Sequence, residues 1–199
     1  MARLEVITGP MFSGKSEELI RRLHVARHSK KVIMVLKPKR DTRAKNEVYS
    51  RKKKTKNSKS FKKFFSFPAY TVDSPKKAKR LLRSHKPDIL AMDEGQFFDQ
   101  KFDRFIKNLL KNKKYRRLTI IISGLDMTSE GDPFPGPMPQ FMAMAHEIIK
   151  LKAVCFRCRE WPPTAEMTYY KKKDKKDAVL VGDKDYEARC RTCHRKPPE

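Results

Sequence analysis

Short apolar runs alternate with amphipathic stretches over residues 1–150, which is the pattern of a parallel sheet flanked by helices. The apolar runs predict strands at residues 4–8, 32–36, 69–72, 88–92 and 118–123. The amphipathic stretches predict helices at residues 16–28, 74–83 and 99–111, with Ser74 as the N-cap of the second. The fold class is therefore α/β.

Two segments break this alternation. Residues 40–67 show little periodicity and are rich in Lys, Asn and Ser, so we expect a long mobile loop. Residues 127–139 hold four prolines and two glycines, which indicates a structured loop. A helix at 140–145 and a strand at 148–154 are predicted to follow.

The charge of the chain is unusual for a small-molecule enzyme. Its 199 residues hold 48 Lys and Arg against 23 Asp and Glu, which gives a net charge of +25. Such a charge attracts polyanions, so one interpretation is contact with nucleic acid, and the basic segment 51–63 is dense enough to make it. The other interpretation is adaptation of the whole proteome to unusual salt or pH.

The sequence also bears on location. No run approaches the roughly 18 apolar residues that a membrane helix needs. Glu5 stands where a signal peptide would be apolar. We therefore expect a cytoplasmic protein without membrane contact.

A phosphate-binding loop joins the first predicted strand to the first predicted helix. The pattern G-x-x-x-x-G-K-[ST] is matched by Gly9, Pro10, Met11, Phe12, Ser13, Gly14, Lys15 and Ser16. Its glycines let backbone N–H groups surround phosphate oxygens, Lys15 can reach the β- and γ-phosphates, and the Ser16 hydroxyl can ligate Mg²⁺. The motif predicts ATP binding and a P-loop NTPase-like sheet.

An acidic pair ends the predicted strand at 88–92. Asp93 occupies the position at which P-loop proteins hold Mg²⁺, and Glu94 is the natural general base. A glutamate here serves phosphotransferases, but it also activates water in ATPases. The two motifs alone leave both reactions open.

Four cysteines form two C-x-x-C pairs, Cys155 with Cys158 and Cys190 with Cys193. In a chain expected to be intracellular, such pairs indicate a closed, structural Zn²⁺ site. We expect His194 to be a surface histidine and Trp161 to cover the zinc knuckle. The predicted organisation is an ATP-binding domain at 1–150 and a zinc-clamped subdomain at 151–199, with a hairpin-like segment between the cysteine pairs.

Together these residues resemble the thymidine kinase family of the zinc-containing, P-loop type. After the P-loop, the resemblance continues through residues 18–22, Lys37-Pro38, residues 41–43 and residues 93–98. It then runs through residues 124–126, 133–134 and 136–139 and ends at 186–191, so it covers nearly the whole chain.

The resemblance implies a reaction and the residues that serve it. ATP would phosphorylate the 5′-hydroxyl of thymidine or deoxyuridine, with Glu94 as base. Ser16 and Asp93 would hold Mg²⁺, Gly95 and Gln96 would lie at the ATP site, and Arg43 would lie near the transferred phosphate. A homotetramer is also implied.

The segment between the cysteine pairs resembles the family's lasso, which closes over the nucleoside. The implied nucleoside-binding residues are Met11, Phe97, Leu125, Phe134, Val181, Gly182 and Tyr186. The chain departs from the family at Ser129, where an aromatic residue is common, and at Tyr170, where an arginine is usual. An alternative function is therefore a former kinase that now binds nucleic acid or serves as a structural protein.

Overall fold

The computed structural model describes residues 1–42, 46–49, 66–171 and 184–195. Its centre is a six-stranded, all-parallel sheet in the order β5-β2-β6-β7-β1-β8. The strands are β1 (Arg3–Thr8), β2 (Ile33–Pro38), β3 (Glu47–Tyr49), β4 (Ser66–Pro68), β5 (Tyr70–Val72), β6 (Ile89–Met92), β7 (Thr119–Ser123), β8 (Glu147–Lys150), β9 (Met167–Tyr170) and β10 (Tyr186–Arg189). The helices are α1 (Lys15–His28), α2 (Pro75–His85), α3 (Phe102–Lys111), α4 (Met138–Met144) and α5 (Arg191–His194).

The predicted α/β order is confirmed, with shifts at the element ends. Strand β6 is buried along its whole length, as a central strand covered on both faces must be. Ser74 caps α2, since its Oγ accepts a hydrogen bond from the Lys77 N–H at 3.4 Å. Helix α4 starts earlier than predicted, with Pro139 in its first turn, where a proline costs no hydrogen bond.

Helices cover both faces of the sheet. On one face α2, α3 and α4 bury a core that includes Leu82, Phe102 and Phe141. On the other face α1 contributes Leu19 and Leu23. Each such side chain stabilises the fold by about 1.5–3 kcal/mol relative to its exposed state. The sheet therefore holds the loops at its carboxyl edge rigidly.

The prediction of an irregular loop at 40–67 is wrong at residues 47–49 and 66–67, which form strands. Strands β3 and β4 form an antiparallel ribbon in which Val48 pairs with Phe67. Both side chains are buried on the α1 face, and Phe67 meets His24 edge-on at 5.8 Å. Each strand has three residues and a single buried side chain, too short a pattern for periodicity to reveal.

The C-terminal part contains a second antiparallel pair, β9 with β10, followed by α5. The bridge between Ala153 and Ala165 connects the two sides of the first cysteine knuckle. The hairpin predicted between the cysteine pairs is confirmed at its two strands, and its tip at 172–183 lies outside the described residues. None of the helices within the described ranges is long and apolar enough to cross a membrane.

Candidate active site

The loop between β1 and α1 has the backbone that its glycines allow. Gly9 has a φ of +132°, and a Cβ there would lie 2.2 Å from the Leu151 carbonyl oxygen. Gly14 has a φ of +84° at the start of α1. The loop also closes on itself, because the Pro10 carbonyl accepts from Ser13 Oγ at 2.8 Å and from Lys15 Nζ at 2.6 Å. A side chain at either glycine would strain or block this loop.

The acidic end of β6 lies against the P-loop. Ser16 Oγ donates to Asp93 Oδ2 at 3.5 Å, which joins residues 77 positions apart in the chain. Asp93 is buried, whereas Glu94 is only partly buried. Glu94 has a φ of +54°, a left-handed conformation that costs energy for a residue with a side chain and is typical of functional sites.

Gln96 fixes the orientation of Glu94. Its Nε2 donates to Glu94 Oε2 at 2.6 Å, and its Oε1 accepts from the Leu125 N–H at 2.9 Å. Gln96 is buried, so both ends of its amide are used in a site shielded from water. The general base predicted from the sequence is thus tied to the loop that follows β7.

A small, open cleft lies beside these residues. Ser16, Asp93 and Glu94 line one side, and Asp41 with Glu47 lines the other. Asp41 pairs at 3.0 Å with Lys37, whose side chain is only 1% exposed. Lys37 and Asp41 belong to the family resemblance, which implies no role for them. Glu47 belongs to strand β3, which the sequence pattern does not predict.

Three of the predicted nucleoside residues lie in the loops that follow β6 and β7. Phe97 and Phe134 meet edge-on with ring centroids 6.0 Å apart, and Leu125 lies in the loop that leads to Phe134. The Arg40 guanidinium lies over the Phe97 ring at 5.6 Å. The neighbouring Phe98 belongs to the core instead, so only one of the two adjacent phenylalanines faces the site.

The P-loop also contacts the C-terminal part directly. The Met11 N–H donates to Thr168 Oγ1 on β9 at 3.0 Å, and the rings of Phe12 and Phe156 lie 5.3 Å apart. Tyr186 on β10 packs against Tyr170 at 5.2 Å. Arg43, Val181, Gly182 and the basic segment 51–63 lie outside the described residues.

The four cysteines converge on one point. Their sulfur atoms all lie within 4.8 Å of one another, and the Cys158 and Cys190 sulfurs are 3.9 Å apart. A tetrahedral ion with Zn–S bonds of about 2.3 Å requires sulfurs about 3.8 Å apart. The arrangement therefore fits a Zn²⁺ ion held by Cys155, Cys158, Cys190 and Cys193.

The surroundings of Cys155 favour the thiolate form of its side chain. Burial raises the pKa of the Cys155 thiol, but backbone N–H groups of Cys158, Cys190 and Arg157 donate to its sulfur. The donors prevail and lower the pKa of Cys155 to about 6. A cysteine must be deprotonated to bind a metal, so the lowered pKa of Cys155 suits a metal site.

The comparisons with known proteins agree with this geometry. The family model for "Thymidine kinase" matches residues 2–194. The chain belongs to the thymidine kinase family. As a member of a kinase family it is a nucleotide-binding transferase.

Curated relatives resemble it along nearly their whole length. A thymidine kinase of Mycoplasma mobile is 38% identical over 193 residues, which cover 96% of this chain and 86% of the relative. A thymidine kinase of Metamycoplasma arthritidis is 36% identical, with 96% and 89% covered. One of Mesomycoplasma hyopneumoniae is 35% identical, with 96% and 94% covered.

Two predictions about the zinc knuckle are wrong. Trp161 is 81% exposed, so its ring does not cover the cysteines. His194 is half-buried and is not a plain surface histidine. Its Nε2 lies 2.8 Å from the Ser129 carbonyl oxygen, and its ring meets Tyr169 edge-on at 5.6 Å. Sequence reasoning could not find this contact, because the partner is a backbone atom 65 residues away.

Proposed function

We propose that the protein transfers the γ-phosphate of ATP to the 5′-hydroxyl of thymidine or deoxyuridine. The observation that carries this proposal is the contact between Ser16 and Asp93 at 3.5 Å, with Glu94 next in the chain and aligned by Gln96. It joins a phosphate-binding loop to a carboxylate base at the same edge of the sheet. The family membership supports the nucleoside as the acceptor.

The P-loop would bind the triphosphate. Backbone N–H groups of residues 12–16 at the N-terminus of α1 would attract phosphate oxygens. Lys15 Nζ donates to the Pro10 carbonyl at 2.6 Å, and it would exchange that bond for the β- and γ-phosphates. Gly95 and Gln96 would border the same site.

Ser16 and Asp93 would hold Mg²⁺, since hydroxyl and carboxylate oxygens are the ligands it prefers. When bound, the ion neutralises charge that develops on the phosphate oxygens. Arg43 would add a further positive charge near the transferred group.

Glu94 would accept the proton of the 5′-hydroxyl as that oxygen attacks the γ-phosphate. The Gln96 bond at 2.6 Å restricts the Glu94 carboxylate to one orientation. A base held in this way loses less entropy on reaching the reactive geometry. General-base catalysis by such a group contributes about 10²–10⁴-fold to the rate.

The thymine base would lie among apolar side chains near Phe97 and Phe134. Met11, Leu125 and Tyr186 would complete this pocket together with the lasso residues Val181 and Gly182. In this proposal residues 1–150 form the ATP-binding domain, and residues 151–199 form the zinc-held lasso that closes over the nucleoside and excludes water. The predicted homotetramer and cytoplasmic location stay predictions.

The experiment is transfer of ³²P from γ-labelled ATP to thymidine with Mg²⁺, for the wild type beside Glu94→Gln. We expect thymidine monophosphate from the wild type and a loss of about 10²–10⁴-fold in the variant. An ATPase would release phosphate equally with and without nucleoside, which would reject the proposal. Binding of ATP without transfer to any pyrimidine nucleoside would instead favour the former kinase that now binds nucleic acid.

A further inference from the structure

The amino edge of the sheet, opposite the catalytic carboxyl edge, is crowded with cations. Three chain connections enter the neighbouring strands β2, β6 and β7 there. The backbones of these connections are joined: the Asp88 N–H donates to the Val32 carbonyl at 2.8 Å, and the Thr119 N–H donates to the Asp88 carbonyl at 2.9 Å. The three connections therefore form one continuous surface.

Each connection contributes exposed basic side chains to this surface, which we call the basic edge. The connection into β2 carries Arg27, Lys30 and Lys31. The connection into β6 carries Arg83 and Lys86. The connection into β7 carries Lys111, Lys113, Lys114, Arg116 and Arg117.

Positive charges outnumber negative charges much more strongly at the basic edge than in the chain as a whole. It has ten cations and a single carboxylate, Asp88, whereas the whole chain has 48 Lys and Arg against 23 Asp and Glu. Asp88 is already engaged, since its Oδ2 accepts from the Val32 N–H at 2.9 Å. Among the residues that the structure describes, the ten exposed cations have no carboxylate partner, so their charge is balanced by solvent ions that a polyanion could replace.

A group of four acidic residues lies at the other end of the strands. Asp93, Glu94, Asp41 and Glu47 surround the cleft at the carboxyl edge. The five steps along the strand from Asp88 to Asp93 span roughly 16 Å at about 3.3 Å per residue. A ligand on the basic edge would therefore leave the cleft open.

The shape and chemistry of the basic edge select among polyanions. Single strands are held by stacking on exposed aromatic rings. Of the tyrosines near this edge, Tyr115 packs on the core, and the partly exposed Tyr70 ring lies 4.9 Å from the His85 ring, so one face is covered. A membrane surface calls for exposed Trp, Phe or Leu, and the exposed apolar side chain described within the three connections is Val32. Of these polyanions, a duplex with its dense, regularly spaced phosphates fits the basic edge best.

We propose that the basic edge binds the phosphate backbone of a nucleic acid duplex without sequence preference. None of its ten cations belongs to segment 51–63, and its binding does not depend on the proposed kinase reaction. The three connections enter neighbouring strands and so span two strand spacings of about 4.8 Å each, and with their long side chains they give a contact wide enough for several phosphates. Each phosphate contact releases counterions, so affinity must fall steeply with salt.

The experiment measures fluorescence anisotropy of a labelled 20-base-pair DNA duplex against the full chain at several salt concentrations. The edge variant changes Lys31, Arg83, Lys113 and Lys114 to Gln. The control variant changes four exposed cations elsewhere, Lys76, Lys101, Arg104 and Lys171, to Gln and has the same net charge. We expect at least a tenfold loss of affinity for the edge variant and at most a twofold loss for the control.

The salt dependence gives a second readout. The slope of log affinity against log salt should fall by about 0.9 for each phosphate contact that the edge variant loses, and it should stay unchanged in the control. Equal losses in both variants would show that net charge alone drives binding and would overturn the proposal. So would tighter binding to a single strand of the same length, or binding to phosphatidylglycerol vesicles but not to the duplex. Far-ultraviolet circular dichroism and thermal unfolding of both variants beside the wild type would check their folding.

Discussion

The Nε2 atom of His194 lies 2.8 Å from the carbonyl oxygen of Ser129. This contact joins the C-terminal part with its four cysteines (residues 151–171 and 184–195, here called the zinc module) to the loop after β7. That loop carries Leu125 at its start and Phe134 at its end, and a backbone hydrogen bond from the Phe134 N–H to the Asp126 carbonyl closes it. The His194 ring is itself held, because it meets Tyr169, over which the Arg189 guanidinium lies at 3.5 Å. The zinc module is thereby connected to the proposed base pocket.

We therefore expect His194→Phe to raise the KM for thymidine about three- to tenfold and to leave kcat and the KM for ATP nearly unchanged. Phenylalanine keeps the ring contact with Tyr169 but removes the N–H donor, and a lost hydrogen bond costs about 1 kcal/mol. His194→Gln, which restores a donor, should recover part of the affinity. Steady-state kinetics checks this, and an unchanged KM in both variants would contradict it.

Replacement of Gln96 by methionine should lower kcat by about 10- to 100-fold. Methionine has a similar shape, but it frees the Glu94 carboxylate and leaves the partly buried Leu125 N–H without its acceptor. Stopped-flow measurement of a single turnover separates this effect on chemistry from product release. A variant with wild-type kcat would mean that the orientation of Glu94 does not matter.

Removal of zinc should destabilise the C-terminal part locally and leave the stability of the sheet unchanged. We expect one Zn²⁺ per chain by mass spectrometry of the metal, and none in Cys158→Ser after dialysis, because a closed tetrahedral site needs all four thiolates. In the chelated protein, amide exchange should rise at 151–171 and 184–195 while β6 and β7 stay protected. Readdition of Zn²⁺ should restore protection; full protection without metal would contradict the role of the ion.

Acid should weaken the start of α1. The Arg21 guanidinium donates to Glu18, and together with Arg22 it outweighs the effect of burial and lowers the pKa of Glu18 to about 2. A lowered pKa means that the carboxylate stabilises the folded state above its unfolded pKa near 4.5, and that this contribution is lost as the pH falls from 4.5 towards 2.

Glu18→Gln should therefore lower the free energy of unfolding by roughly 1–2 kcal/mol at pH 7, after allowance for solvent screening. The difference from wild type should shrink below pH 4.5. Urea unfolding at pH 7, 5 and 4 checks this. In an Arg21→Gln background the same change should cost less, and equal costs at every pH would be inconsistent with the ion pair.

Features that depend on residues close together in the chain could be predicted from the sequence. The P-loop, the acidic end of β6 and the two cysteine knuckles each depend on local spacing, and the parallel sheet follows from apolar runs that are buried on both faces. The contact of Ser16 with Asp93 follows from the same topology, because carboxyl ends of parallel strands meet at one edge.

Features that depend on long-range pairing could not be predicted. Strands β3 and β4 each bury one side chain, Val48 or Phe67, and neither pattern is long enough to show a period. The role of Gln96 depends on the Leu125 N–H, 29 residues away, and a backbone partner leaves no mark in the sequence. The same holds for His194.

The close approach of Gly9 to Leu151 limits how this chain can be divided. The first P-loop glycine touches the backbone at the point where the chain leaves the sheet for the zinc module, with no room for even a methyl group. The Met11 N–H is donated to Thr168 in the same region. The two parts are therefore not interchangeable modules: a chain cut after Lys150 would uncover its own phosphate loop, and a zinc module grafted from a relative would need to reproduce this backbone crossing.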